Sequence, residues 1–388
     1  MSGTAVVSAK GAQRWASGHP WIYRSDVITP PDALAGAVRV TDARHRALGW
    51  ALWSPRSEIA LRLLDQNCDA AIDAAWWRRR LSTAIERRAP LAGETNACRL
   101  VHGEADGCPS LVCDQYDAWL VVQLQSAGIE HFRREIVDGF SDLLAPRGIL
   151  ARHDLAVRAK EGLARQVELV AGAVPHEIEV SEAGVRYLAA PWEGQKTGAF
   201  LDQRENRVLL GEVARGRALD CFAYHGSFAL HMARRADSVT ALDSSGPALA
   251  RATVNAERNG LRNITFVEAD AFDFLRSEEV SGARYDTIAL DPPAFARTRG
   301  ALPGAIRGYK EINLRAMRLL SPHGLLFTAS CSYFLTKPLF LEMLENAAAE
   351  SGRRIALRSL HGQPGDHPEV LTFPESGYIK GALLEALD

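Results

Sequence analysis

Ala218-Leu219-Asp220-Cys221-Phe222-Ala223-Tyr224-His225-Gly226-Ser227-Phe228 runs from an apolar segment into a tight turn at Gly226 and on into Ala229-Leu230-His231-Met232. A strand, a glycine turn and a helix in that order bring backbone N–H groups up to a ligand. A dinucleotide fingerprint needs three glycines, and only Gly226 is present. A pyrophosphate therefore fits poorly, and a cofactor without phosphates fits better. Working outward, residues 238–242 end in Asp243, and residues 264–267 run into Glu268-Ala269-Asp270-Ala271-Phe272. Residues 285–290 run into Asp291-Pro292-Pro293-Ala294-Phe295. Carboxylates thus fall at the carboxyl ends of successive strands. From Pro191 onward, apolar runs alternate with amphipathic ones, which predicts a parallel doubly wound sheet.

Asp243 is placed to accept hydrogen bonds from ribose hydroxyls, and Asp270, with Ala271 beside it, to meet an exocyclic amine. Any one of these acids also reads as a helix N-cap. Together with the glycine turn, containing Phe222, Tyr224 and Gly226, and with Asp291-Pro292-Pro293, they resemble the class I S-adenosylmethionine-dependent methyltransferases over residues 196–388. The segment 196–207, Lys-Thr-Gly-Ala-Phe-Leu-Asp-Gln-Arg-Glu-Asn-Arg, narrows this to a resemblance to the ribosomal large-subunit methyltransferase I family. So do Arg307-Gly308-Tyr309-Lys310-Glu311-Ile312-Asn313, Ser330-Cys331-Ser332 and Asp366-His367-Pro368. The resemblance implies that Phe200, Asp202, Gln203, Arg204 and Arg207 join Phe222, Tyr224, Gly226, Asp243, Asp270, Ala271 and Asp291 in holding S-adenosylmethionine. It also implies a 23S ribosomal RNA substrate methylated at C5 of a cytosine.

Upstream, residues 5–8, 36–40, 47–53 and 58–64 alternate apolar and polar side chains between Pro30-Pro31 and Ser54-Pro55, as in a small β-barrel. Gly18-His19-Pro20-Trp21-Ile22-Tyr23 resembles the PUA domain that opens members of the family. Residues 69–89 predict a linker helix with Ile72, Trp76, Leu81 and Ile85 on its apolar stripe. Its Arg78-Arg79-Arg80 reads equally as a phosphate contact or a solvated face. Residues 97–190 read as a central α+β unit closed by a hairpin turning at Glu182-Ala183-Gly184. The expected fold is α/β: a PUA-like barrel (1–70), a central domain (71–190) and a Rossmann-like methyltransferase domain (191–388). Two departures from the family are Cys108, in place of a larger aliphatic residue, and His225, in place of Thr.

Composition bounds this reading without deciding it. The 388 residues are 47% apolar and 24% charged, as in globular proteins, and carry 45 Lys and Arg against 47 Asp and Glu. A formal charge of −2 supplies no general attraction to nucleic acid, although the first 70 residues are mildly basic. No run is long enough to span a bilayer, and no secretory leader is evident at Met1, so a cytoplasmic protein with no membrane partner is expected. The six cysteines lack metal-ligand or disulfide spacing, so no metal is expected. A homodimer stays open.

Cytosine C5 is a poor nucleophile until a thiolate adds at C6. Cys331 follows an apolar run at the same expected sheet edge as Asp243, Asp270 and Asp291, which makes it the candidate nucleophile; its bland alternative is a buried thiol. Cys221 reads as core or pocket lining, and Cys68, Cys98, Cys108 and Cys113 as structural. Asp291 is the candidate partner of the base. Pro292 and Pro293 stiffen its loop, and Phe295 reads as a stacking ring for a flipped base or as core. Tyr309 and Lys310 are candidate substrate contacts or an exposed helix face. His367 reads as structural more readily than as a base. A guanine or adenine N-methyltransferase and a non-catalytic RNA-binding factor are the alternatives. The missing glycines disfavour a nicotinamide oxidoreductase.

Overall fold

The computed structural model describes residues 3–296 and 298–388; Met1, Ser2 and Arg297 lie outside the described residues. The chain divides into two compact units, and the division is not a single cut after residue 190. One unit comprises Met1–Val180, Ala189–Leu201 and Gly365–Ser376, and the other Ser181–Leu188, Asp202–Pro364 and Gly377–Asp388.

The first unit opens with a six-stranded sheet of Thr4–Val7, Trp21–Tyr23, Val27–Thr29, Gly36–Asp42, Ala47–Trp53 and Ile59–Asp65. Between its first two strands lies a helix, Ala9–Ala16, absent from the sequence reading; Ser8 caps it by accepting the Gly11 N–H at 3.1 Å. A second sheet of five strands, from Ala97–His102 to Val167–Gly172, follows. The segment read as a linker is the helix Ala74–Glu86, capped by Asp73, and it does not merely connect. Trp76, Trp77, Leu81 and Ala84 are buried in one cluster with Leu111 and Val122 of the second sheet and with Trp50, Leu52 and Leu64 of the first. One shared core thus crosses the boundary expected at residue 70.

The second unit is built on seven strands: β1 (Arg217–Cys221), β2 (Ser238–Asp243), β3 (Ile264–Glu268), β4 (Tyr285–Leu290), β5 (Leu320–Ser330), β6 (Ile355–His361) and β7 (Lys380–Ala386). Its helices are α1 (Arg204–Val213), α2 (Ser227–Met232), α3 (Gly246–Arg258), α4 (Ala271–Ser281), α5 (Leu302–Leu319) and α6 (Lys337–Ser351). The sheet order is β3-β2-β1-β4-β5-β7-β6. Strands β1 to β5 pair in parallel. These form the expected parallel doubly wound core, and β7, which the sequence reading did not place, inserts antiparallel between β5 and β6. Apolar side chains on alternate faces of these strands feed two buried clusters, one around Leu219, Ile288 and Tyr309, the other around Ala218, Ala289 and Phe327. Strand order reverses between β1 and β4, so their carboxyl ends diverge and open a crevice.

Candidate active site

The β1–α2 turn is strained. Phe222 and Tyr224 have φ of 67° and 49°, and Gly226 has φ of 84°. Only the last is at ease in that region; each of the others costs of order 1–3 kcal/mol and persists because its surroundings dictate it. The Tyr224 N–H is held by Asp243 Oδ2 at 2.8 Å, and the Ala223 N–H by the Leu242 carbonyl at 2.9 Å. Asp243 Oδ1 accepts the Ser245 N–H at 2.9 Å. A carboxylate has about four acceptor sites, so this acid both shapes the turn and keeps capacity for ribose hydroxyls.

Beneath the turn lies Asp220, which sequence reasoning missed as a site residue. Its Oδ2 accepts the Ala229 N–H at 2.9 Å, while the buried Oδ1 has no hydrogen-bond partner among the described residues. Burial, reinforced by the negative charges of Asp291 and Asp243, pushes its pKa well above the usual carboxylate range. The available signal was an acid in the middle of an apolar strand. His225, beside it in the turn, stacks on Tyr187 with centroids 5.1 Å apart, and neither ring nitrogen has a hydrogen-bond partner among the described residues. Burial lowers its pKa to about 3, so the ring is neutral.

Asp270 caps α4, its Oδ1 accepting the N–H groups of Phe272 and Asp273 at 2.9 and 3.2 Å. It is solvent-exposed, and Ala271 beside it is buried. Asp291, the first residue after β4, accepts Gln203 Nε2–H at 2.7 Å, and Asn206 Nδ2–H donates to Gln203 Oε1 at 2.6 Å. Gln203, expected on the cofactor, therefore orients the Asp291 carboxylate. Asp202 accepts the Tyr378 hydroxyl at 2.8 Å. Arg204 is buried with Glu205 Oε1 3.6 Å from its guanidinium. Phe200 belongs to the Ala189–Leu201 stretch of the first unit, where Lys196 lies 4.6 Å over its ring.

Arg207, expected on the cofactor, is engaged within the protein. Its guanidinium is buried and binds both oxygens of Glu182 at 2.7 and 2.6 Å, with His231 Nε2 at 3.1 Å from the same carboxylate. Burial alone would raise the Glu182 pKa; Arg207 and His231 outweigh it and hold the carboxyl well below its usual range. A buried guanidinium needs such a partner, so Arg207 braces the hairpin against α1 and α2.

Phe295 is half-buried, its centroid 4.5 Å from Tyr309, 6.0 Å from Phe272 and 6.5 Å from Phe222. Pro292 is buried and Pro293 exposed. Tyr309 is neither an exposed face nor an open substrate contact: it is fully buried, with its hydroxyl on the Asp291 loop. Lys310 forms an ion pair with Glu350 of α6. Cys331, the first residue after β5, is partly exposed, whereas Cys221 is buried in β1. Below the Cys331 turn the buried Lys380 donates to the carbonyls of Ser332 and Tyr378 at 2.7 and 2.8 Å, another group the sequence reading passed over. His367 is buried in the first unit beside Asp366 at 3.1 Å, a structural placement. So are Cys98, Cys108 and Cys113, and burial pushes the Cys108 thiol up to about 12.

An open edge with an acid that keeps acceptor capacity, no phosphate-binding glycines and a buried carboxylate oxygen without a partner among the described residues suits an adenosyl cofactor with a cationic tail. The family model for S-adenosylmethionine-dependent methyltransferases matches residues 134–378, and that for PUA-like domains matches residues 6–66. A protein named ribosomal RNA large subunit methyltransferase I from Tolumonas auensis is 36% identical, with both chains covered in full. Its namesake in Aeromonas salmonicida is 37% identical over 95% of each chain.

This chain belongs to the ribosomal RNA large subunit methyltransferase I family.

As in that family, its cofactor is S-adenosylmethionine. Among solved structures, a SAM-dependent methyltransferase of Streptococcus mutans superposes with a TM-score of 0.84 at 20% identity, covering 99% of this chain and all of its own. A methyltransferase solved with S-adenosylhomocysteine superposes at 0.85 with the same identity and coverage. Both show the shared fold. For this member of the ribosomal RNA large subunit methyltransferase I family, the fold assignment from sequence therefore stands.

Proposed function

We propose that the chain methylates C5 of a cytosine in 23S ribosomal RNA through a transient bond between Cys331 Sγ and C6. The observation that carries this is the pairing of a carboxylate and a partly exposed thiol as the first residues after adjacent parallel strands, Asp291 after β4 and Cys331 after β5. The names of the relatives supply the RNA class.

Asp243 would hold the ribose, and Asp270 with Ala271 the adenine. When bound, S-adenosylmethionine supplies an electrophilic methyl group on a good sulfide leaving group. The Cys331 thiolate adds to C6, which moves electron density onto C5 and makes it the nucleophile. Asp291, oriented by Gln203, accepts hydrogen bonds from the exocyclic amine and from N3 when protonated, stabilising the adduct. Once C5 carries the methyl group, loss of its proton lets the C6–S bond break and returns the thiolate. The loop Pro293-Ala294-Phe295 has no second thiol, so that proton leaves to another base or to water. The PUA-like sheet and the basic side chains of its unit grip the RNA by backbone and shape.

Cys331→Ala is expected to abolish methyl transfer while cofactor binding persists. Undiminished methylation by that variant sinks the covalent mechanism. Mass-spectrometric mapping of 23S ribosomal RNA from cells with and without the protein reads the base and the atom; a methylated purine nitrogen would replace this reading with the N-methyltransferase alternative.

A further inference from the structure

Asp291 and Cys331 leave the sheet on two separate loops, and a pair of reacting groups on separate loops needs something to hold their spacing. The hydroxyl of Tyr309, on α5, does this for the backbone around both. It donates to the Pro293 carbonyl at 3.3 Å and accepts the Phe295 N–H at 3.3 Å, both on the Asp291 loop. It also lies 2.9 Å from Ser332 Oγ, on the residue that follows Cys331. Ser332 Oγ in turn accepts the Ala296 N–H at 3.2 Å. One assignment of protons satisfies all four contacts: Ser332 donates to Tyr309, Tyr309 donates to Pro293, and the two loop N–H groups feed the oxygens.

The cluster is closed to water. Tyr309 and Ser332 are both fully buried, and burial raises the Tyr309 pKa, so the phenol stays protonated as the bonding requires. The Ser332 N–H is bound to Ser330 Oγ at 3.2 Å and its carbonyl to Lys380 Nζ at 2.7 Å, so its hydroxyl is fixed from both sides. Asn313 Nδ2–H donates to the Tyr309 carbonyl at 2.8 Å and ties the ring's own backbone one turn along α5. The Tyr309 and Ser332 hydroxyls at its centre are both buried and bonded, and such a network is rigid and specifies one geometry.

We infer that Tyr309 and Ser332 are positioning residues that latch the Asp291 loop to the Cys331 turn and set the distance between carboxylate and thiol. The inference rests on the roles proposed above for Asp291 and Cys331. A displacement of about 1 Å at a reacting centre costs as much as 100-fold in rate. Tyr309→Phe, which keeps the ring and removes one oxygen, is therefore expected to lower kcat roughly tenfold or more. KM for RNA, Kd for S-adenosylmethionine and the iodoacetamide alkylation rate of Cys331 should stay within about twofold, since neither binding nor the thiol is removed. Ser332→Ala should act alike, and because both hydroxyls serve one latch the double variant should be no slower than the slower single one. A Tyr309→Phe enzyme with wild-type kcat overturns the latch, as do rate losses that multiply in the double variant. If Tyr309→Phe does not fold, Ser332→Ala carries the same test, and wild-type kcat there overturns the inference equally. Cys331→Ala keeps the two failures apart: an inactive Cys331→Ala beside a fully active Tyr309→Phe leaves the covalent mechanism standing and removes only the latch.

Discussion

The Arg88 and Arg99 cluster of the first unit and the carboxyl edge of β1 in the methyltransferase unit both bury ionisable side chains, and they treat them differently. In the first, Arg88 grips both oxygens of Asp106 at 2.7 Å and donates to the carbonyls of Arg99 and Asp366 at 2.8 and 2.7 Å. Arg99 grips both oxygens of Asp114 at 2.8 and 2.9 Å, and its N–H donates to Asp366 Oδ2 at 2.9 Å. Each charge there meets its opposite. At the carboxyl edge of β1, by contrast, Asp220 keeps a buried oxygen and His225 both ring nitrogens without a hydrogen-bond partner among the described residues, and two non-glycine residues hold left-handed backbone. Satisfied networks hold a fold in one shape. Unsatisfied groups and strained backbone are kept at a cost in stability, the pattern expected where a ligand binds.

That contrast can be broken or sharpened by experiment. If the first-unit cluster is structural, Asp106→Ala strands a buried guanidinium and should cost about 3–5 kcal/mol in urea unfolding; a loss below about 1 kcal/mol would deny the cluster that role. At the edge of β2, Asp243→Ala should weaken S-adenosylmethionine binding by roughly 10- to 100-fold, as removal of hydrogen bonds to a charged acceptor does, read by calorimetry. His225 gives the pH test. Burial lowers its folded pKa to about 3, below the ordinary histidine value of about 6.5, so the unfolded chain takes up a proton first as pH falls. Its contribution to stability is present above about pH 6.5 and drains away towards pH 3, by up to about 1.4 kcal/mol per pH unit. His225→Phe keeps an aromatic ring against Tyr187 and should flatten that part of the stability profile; an unchanged slope would show that the ring titrates freely. The smallest effect is expected at Lys310, whose pair with Glu350 is on the surface. Lys310→Ala should change stability by less than about 1 kcal/mol and leave methylation intact.

Much of the second unit was legible because its signals are local. The strands ending in Asp243, Asp270 and Asp291 lie where apolar runs meet acids, and the period of those runs is set by burial on a sheet. Cys331 was legible for the same reason, as the residue after the run that became β5. What escaped was long-range or conformational. Arg207 belongs to a sequence motif, yet its partner Glu182 is 25 residues away across a hairpin, and no local pattern announces that pair. Tyr309 shows the same limit: one face of a helix and its opposite have similar sequence signatures, and only packing decides which is buried. The helix Ala9–Ala16 is short, and its Gly11 and polar residues hid it behind the strand pattern.

By itself, the sequence determined the class of fold, the order of strand ends that carry acids and a thiol, and the absence of a phosphate-binding glycine loop. These follow from hydrophobic period, turn chemistry and residue type, which act over a few neighbours. Tertiary structure alone decided that β7 inserts antiparallel, that one core crosses the boundary near residue 70, and that Phe222 and Tyr224 are held left-handed. It also turned Arg207 to Glu182, Gln203 to Asp291 and Tyr309 to the two loops. The physical reason is common to all of these: the desolvation of a buried polar group is offset only by a partner that folding brings from elsewhere in the chain, and the identity of that partner is a property of the packed molecule.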